Sequence, residues 1–280
     1  MQDRSATLRK FFARYTAVTG GARDSRIEQA FATVRREDFA GPGPWLISVP
    51  GGYEQTPDDD PAFLYQNTLV AIDAGQSINI GEPVLHARCL AALSLCEGET
   101  VLHIGAGVGY YTAILAHLVG PAGKVHAYEI ASAIAARARE NLARLPWVNV
   151  EARTGIADDL PKADAVYVNA GITQPSWAWL DALRPGGRLL FPLQDISGSG
   201  AILLIRRPQR GMVWPAKFVA RAGFIACDGP QNEEAGRRLT AAFSDGAWGQ
   251  VRSFRTDHPV DDTCWFAGDG WWLSTAALEE

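Results

Sequence analysis

Apolar residues near the start of the chain recur at helical spacing. Leu8, Phe11, Phe12 and Tyr15 fall on one helical face, and Ile27, Phe31 and Val34 on another, with Asp24 or Ser25 placed to cap the second helix. After residue 82 the rhythm alternates. It predicts a helix over 83–95, with Pro83 in its first turn, then a strand over 100–104, a helix over 109–119 and a strand over 124–129. A helix over 131–144, strands over 148–152 and 164–169, a helix over 176–183 and a strand over 187–192 follow. Strands that alternate with helices at this spacing predict an α/β fold with a mostly parallel sheet. "GAILLIRR" (200–207) and "KFVARAGFIAC" (217–227) read as two strands with no helix between them, hence an antiparallel edge.

Two segments lie outside this rhythm. Residues 41–75 carry "GPGPW" (41–45) and "TPDDDP" (56–61), and their proline and acidic clusters predict a long exposed loop, a wrap or lid near the site. The tail holds a helical stretch from 235 and then "CWFAGDGWWLS" (264–274). There Asp269-Gly270 signals a hairpin, with Trp265, Trp271 and Trp272 as its packing. The expected division is a helical region and loop over 1–80, a central domain over 81–230 and a C-terminal extension over 231–280.

Composition narrows the function classes. The 280 residues are 47% hydrophobic and 20% charged, which suits a globular protein with a sizeable core. A net charge of -5 gives no phosphate-binding footprint, so nucleic acid is not the expected partner. Cys89, Cys96, Cys227 and Cys264 are too widely spaced for a metal site or a disulfide framework. No apolar run is long enough to span a membrane, and the N-terminal residues have no signal-peptide core. The expectation is a soluble cytoplasmic protein with no metal.

The chemistry concentrates in "VLHIGAGVGYYT" (101–112). Gly105, Gly107 and Gly109 follow a strand and open a helix, where missing Cβ atoms let the backbone turn tightly against a ligand. Glu129 ends the next strand, where a carboxylate can accept both hydrogen bonds of a ribose diol. The dinucleotide fingerprint needs a third glycine where this chain has Tyr110, because a pyrophosphate requires a clear helix start. S-adenosylmethionine carries no phosphate and tolerates that bulk, so it is the expected cofactor. Asn169, at the carboxyl end of the fourth strand, lies where open α/β sheets bind ligands.

With these residues the chain resembles the protein-L-isoaspartyl O-methyltransferases, class I methyltransferases with a Rossmann-like sheet. "RIEQAFATVRREDF" (26–39) is similar to that family's N-terminal helix, and "VLHIGAGVGYYTAILAHLVGPAGKVHAYEI" (101–130) to its first cofactor motif and ribose acid. "ADAVYVNAG" (163–171) and "LDALRPGGRLLFPL" (180–193) are similar to its fourth and fifth strands. The resemblance implies cofactor contacts at His103, Gly105, Ala106, Gly107, Gly109, Tyr110, Glu129, Ile130, Thr154, Gly155, Ile156 and Asn169.

Three positions depart from the family pattern. His103 replaces an acid two residues before the first glycine. Thr154, in "RTG" (153–155), replaces an aspartate near the adenine, and Asp158 is close in sequence. The family's serine at the methyl-transfer centre aligns with Gly81 in "NIGEP" (79–83), or with Asn79 in a second register.

A carboxylate acceptor is already ionised at neutral pH and needs orientation more than a base. Ser77 and Asn79 can donate hydrogen bonds to it, and the next helix start can attract an anion, whereas Glu82 would repel it if turned inward. His86, one turn into that helix, is a packing residue or a group aimed at substrate. The resemblance implies O-methylation of a carboxylate in a protein or peptide. The departures leave open a small-molecule or modified-peptide acceptor, or a module that binds S-adenosylmethionine without turnover.

Overall fold

A computed structural model describes residues 4–76, 78–227, 232–257 and 259–278. Along the chain run α1 (Arg4–Thr19), α2 (Ser25–Thr33), α3 (Arg36–Ala40), β1 (Leu46–Val49), β2 (Gly52–Gln55), β3 (Val70–Asp73), β4 (Ile78–Ile80) and α4 (Pro83–Leu93). Next come β5 (Thr100–Ile104), α5 (Tyr110–Val119), β6 (Lys124–Tyr128), α6 (Ser132–Leu142), β7 (Val148–Glu151), β8 (Ala163–Val168), α7 (Trp177–Ala182) and β9 (Leu183–Gln194). β10 (Gly200–Arg206), β11 (Val213–Arg221), α8 (Glu233–Asp245), β12 (Ser253–Arg255), β13 (Cys264–Ala267) and β14 (Trp272–Ser274) complete the order. The chain divides into two compact units: residues 1–99 with 106–153, and residues 100–105 with 154–280.

In the first unit β6 and β7 pair in parallel, from Val125 opposite Val148 to Tyr128 opposite Glu151. α5 is almost wholly buried, because Ile114, Leu115, Ala116 and Val119 leave it no polar face. α2 is capped by Asp24, whose carboxylate accepts from the Arg26 N–H at 2.9 Å. α1 departs from its expected face. Phe12, Ala13, Thr16 and Ala17 are buried, while Phe11 is 72% exposed and stacks on Tyr15 at the surface. The small residues let α1 approach α4: a Cβ on Gly20 would lie 2.7 Å from that of Ala87.

The long loop expected over 41–75 is instead a small antiparallel sheet, ordered β2-β1-β3-β4. Its strands are three or four residues long, too short for alternation to stand out from the surrounding prolines and glycines. Arg36 anchors the return of this segment. It is fully buried, and its guanidinium donates to the carbonyls of Leu64 at 2.6 Å, Gln66 at 3.1 Å and Thr68 at 2.7 Å.

The second unit carries a longer sheet. β5, β8 and β9 run parallel, and β9, β10, β11, β12, β14 and β13 continue antiparallel. The α/β class, with parallel strands and an antiparallel side, is as the sequence predicts, and the antiparallel portion reaches the end of the chain. The 264–274 segment forms the expected hairpin, with Gly270 at φ +75° and Trp271 and Trp272 buried. Among the described residues no helix is long and apolar enough to cross a membrane, and no group of three or more His, Cys, Asp or Glu could hold a metal ion.

Replacing Arg36 with leucine would strip three carbonyls of a buried charged donor, at about 1–3 kcal/mol for each left unsatisfied. We expect Arg36→Leu to lower unfolding stability by about 3 kcal/mol or more in urea titrations; a loss under about 1 kcal/mol would mean the carbonyls find water instead.

Candidate active site

Residues 106–109 of the glycine turn lie in the first unit, directly ahead of α5. Gly107 and Gly109 have φ of +55° and +91°, values that L side chains rarely adopt. A Cβ on Gly109 would lie 2.7 Å from Leu142 Cδ1, so this glycine also lets α6 close on the turn. A Cβ on Gly107 would meet nothing within 4 Å, so open space lies above the backbone there. Ala106 donates to the Tyr128 carbonyl at 3.0 Å, which fixes the turn to the end of β6.

Glu129 follows β6 directly and is 8% exposed. Its Oε2 accepts from the Gly107 N–H at 2.8 Å and its Oε1 from the Ala131 N–H at 3.0 Å. One carboxylate thus spans the turn and the start of α6, and each oxygen keeps a lone pair for a further donor. Ile130, beside it, is 49% exposed. Tyr110 lies elsewhere: its ring is buried against Phe31 and Phe39, with the Arg36 guanidinium 5.9 Å from its centroid. Its bulk therefore does not obstruct the helix start, because the side chain belongs to the core.

The strand–helix junction at 79–84 belongs to the same unit. Asn79 sits on β4 opposite Ala71, and Ser77 lies outside the described residues. Tyr111, in the first turn of α5, donates its hydroxyl to the Gly81 carbonyl at 2.6 Å, and burial holds that phenol's pKa well above its ordinary value. Gly81 lies against the His86 ring, which would have to shift to admit a side chain there. A Cβ there would lie 2.2 Å from His86 Nε2, and the His86 ring is buried and stacked on Tyr111 with centroids 3.5 Å apart. The imidazole fills the volume that a residue-81 side chain would occupy. Glu82 is held by the side-chain amide of Asn67, whose Oδ1 also accepts from the Val84 N–H at 2.8 Å and so caps α4 from outside the helix. Asn67, Tyr111 and Arg36 have no sequence signature for these roles, since each acts across tens of residues.

In the second unit His103 and Asn169 meet at the carboxyl ends of β5 and β8. The parallel register sets Ile104 opposite Val168, and the Asn169 N–H donates to the Ile104 carbonyl at 2.8 Å. Asn169 Nδ2 lies 2.7 Å from His103 Nε2. An amide NH2 can only donate, so Nε2 accepts and the ring proton sits on Nδ1. His103 is fully buried and stacked on Tyr167, and desolvation pushes its pKa down to about 3. Gly105 has φ +73°, and a Cβ there would lie 3.3 Å from the Asn169 carbonyl oxygen. Thr154 is exposed and accepts from the Ile156 N–H at 3.2 Å, and the buried Gly155 takes the Trp179 indole N–H on its carbonyl at 2.7 Å. Asp158 is exposed.

Native His103 stays neutral to about pH 3, whereas in the unfolded chain it titrates near 6.5. Between these values the unfolded state binds the extra proton, so the native state loses stability as pH falls. His103→Gln keeps an acceptor for Asn169 and removes the titration. Its stability relative to wild type should improve by about 1.4 kcal/mol for each pH unit below about 6. Urea denaturation at pH 7, 6 and 5 reads this directly, and a constant gap would contradict it.

Comparison with known proteins places this geometry. A model of the protein-L-isoaspartate(D-aspartate) O-methyltransferase family matches residues 14–227. The protein-L-isoaspartate O-methyltransferase of Brucella anthropi is 31% identical over 191 residues, covering 67% of this chain and 78% of its own. That of Nitrobacter winogradskyi is 32% identical over 197 residues, covering 69% and 81%. Among solved structures, a protein-L-isoaspartate O-methyltransferase superposes with a TM-score of 0.64 at 22% identity, covering 85% of this chain and 69% of the other. A putative Plasmodium falciparum homologue in complex with S-adenosyl-L-homocysteine does so at 0.62 and 18% identity, covering 79% and 98%. The family match covers the glycine turn, Glu129, the 79–84 junction and the His103–Asn169 pair alike, and the chain belongs to the protein-L-isoaspartate(D-aspartate) O-methyltransferase family of S-adenosylmethionine-dependent enzymes.

Proposed function

We propose that this protein transfers a methyl group from S-adenosylmethionine to a side-chain carboxylate of a protein or peptide, of the isoaspartyl type. The observation that carries the reading is Glu129. It is nearly buried and tied to the glycine turn, yet it keeps a lone pair on each oxygen for a vicinal diol. The open space above Gly107 fits a nucleoside lying against backbone. When bound, the cofactor would supply a sulfonium methyl for in-line attack by the acceptor carboxylate, the C–S bond breaking as the O–C bond forms and neutral S-adenosylhomocysteine leaving.

The chain's part is to bind, orient and exclude water. Glu129 takes the ribose diol, and the exposed Ile130 side chain packs on the base. Backbone at Ala106, Gly107 and Gly109 leaves room for the ligand. Asn79 and the backbone around Gly81 orient the acceptor carboxylate. That group is ionised at neutral pH, so proximity and alignment supply the acceleration without a general base. The Glu82 carboxylate accepts from the Asn67 side-chain amide, which holds it in place.

A second reading, a small-molecule or modified-peptide acceptor, has one observation in its favour. A side chain at residue 81 would meet the His86 ring at 2.2 Å, so this chain offers no hydroxyl there unless that ring shifts. Incubation with an isoaspartyl peptide and methyl-labelled cofactor separates the two. Base-labile methyl ester on the peptide supports the first; homocysteine-linked turnover only with small acceptors supports the second. Glu129→Ala should weaken S-adenosylhomocysteine binding by about tenfold or more, the worth of a charge-assisted hydrogen bond. Unchanged affinity by calorimetry would remove Glu129 from the site.

Gly81→Ser forces the new Cβ into the His86 ring and should cost about 1–3 kcal/mol of stability. Adding His86→Gly to Gly81→Ser should recover part of that loss relative to His86→Gly alone. Additive losses in a denaturation cycle would show that the cost does not come from the His86 ring.

A further inference from the structure

One side chain joins two parts of the first unit that lie far apart in sequence. Tyr111 stands two residues past Gly109, in the first turn of α5, and donates its hydroxyl to the Gly81 carbonyl at 2.6 Å. A second donor to that oxygen, Arg36 Nη2, stands off at 3.5 Å, where a hydrogen bond is weak. The Tyr111 ring is 4% exposed and lies nearly parallel to the His86 imidazole, with 8° between the planes and 3.5 Å between the centroids. His86 in turn packs on Gly81, since its Nε2 lies 2.2 Å from where a Cβ would stand. One phenol therefore links the start of α5, the 79–84 junction and the first turn of α4. Burial holds its pKa well above the ordinary value, so at neutral pH the hydroxyl is always present as a donor.

We infer that Tyr111 is a positioning residue for methyl transfer, its hydroxyl holding the Gly81 main chain at a fixed distance from the turn that precedes α5. The inference rests on the function proposed above, in which backbone around Gly81 orients the acceptor and residues 106–109 receive the cofactor. A carboxylate acceptor needs no base, so the rate depends on how well its oxygen is aligned with the sulfonium methyl. A displacement of about 1 Å can cost roughly a hundredfold. A tether that begins two residues from the turn makes both segments move together, and α5, buried almost throughout, gives it a rigid footing. The phenol touches neither reactant on this assignment; it acts through Gly81. Its loss should therefore appear in turnover and not in binding.

Tyr111→Phe keeps the ring and its stacking on His86 and removes only the hydroxyl, whereas Tyr111→Leu removes both. The test is steady-state methylation of an isoaspartyl peptide, with S-adenosylhomocysteine affinity measured by calorimetry and folded fraction by circular dichroism on the same preparations. Tyr111→Phe should lower kcat by about tenfold or more, while the peptide KM and the S-adenosylhomocysteine Kd stay within about twofold of wild type. A kcat within about twofold of wild type would overturn the inference. So would activity lost in Tyr111→Leu and kept in Tyr111→Phe, which would assign the effect to the stack. A Phe variant whose affinity for S-adenosylhomocysteine falls as far as its kcat would make the phenol a cofactor contact, and a fall in kcat matched by the folded fraction would make it structural; either overturns the inference. If wild type methylated neither the peptide nor any small acceptor, the proposed function would fall and this inference with it. An active wild type with an indifferent Phe variant would fell this inference alone.

Discussion

Both oxygens of the Glu129 carboxylate are spent on backbone N–H groups, one in the glycine turn and one at the start of α6. A turn with three glycines at positive φ has no side chains of its own to hold it, and glycine loses more conformational freedom on ordering than any other residue. The carboxylate replaces those missing restraints. It also brings an acceptor, at little further entropic cost, to the place where a ribose would lie. On the function proposed above, the binding group and the group that orders the binding loop are the same atoms.

The 79–84 junction is organised by volume. Gly81 and His86 share one space, and the imidazole occupies it. Around them Tyr111 ties the strand end to the first turn of α5, and Asn67 caps α4 from a distant loop that Arg36 holds by its carbonyls. The junction is thereby fixed through main-chain groups, which any side chain at 81 would disturb.

His103 and Asn169 work the same way in the second unit. Two residues far apart in sequence meet because β5 and β8 pair in parallel, which brings the Asn169 amide within hydrogen-bond distance of the buried His103 ring.

The alternation of strand and helix, the glycine turn, Glu129 and the terminal hairpin were all legible in the sequence, because each depends on local pattern: apolar period, turn chemistry and a motif within thirty residues. Tertiary structure decided the rest. The 41–75 segment reads as loop because strands of three or four residues carry no measurable period, and only pairing with one another satisfies their backbone groups. Phe11 and Tyr15 read as core because spacing cannot tell which side of a helix finds a neighbour; close approach of α1 to α4 selected the small residues instead. Tyr110 reads as a ligand contact from its place after the glycines, yet its ring packs among Phe31 and Phe39. The packing of His86 on Gly81 and the tether from Tyr111 to the Gly81 carbonyl are properties of space between residues, and sequence order does not carry distance.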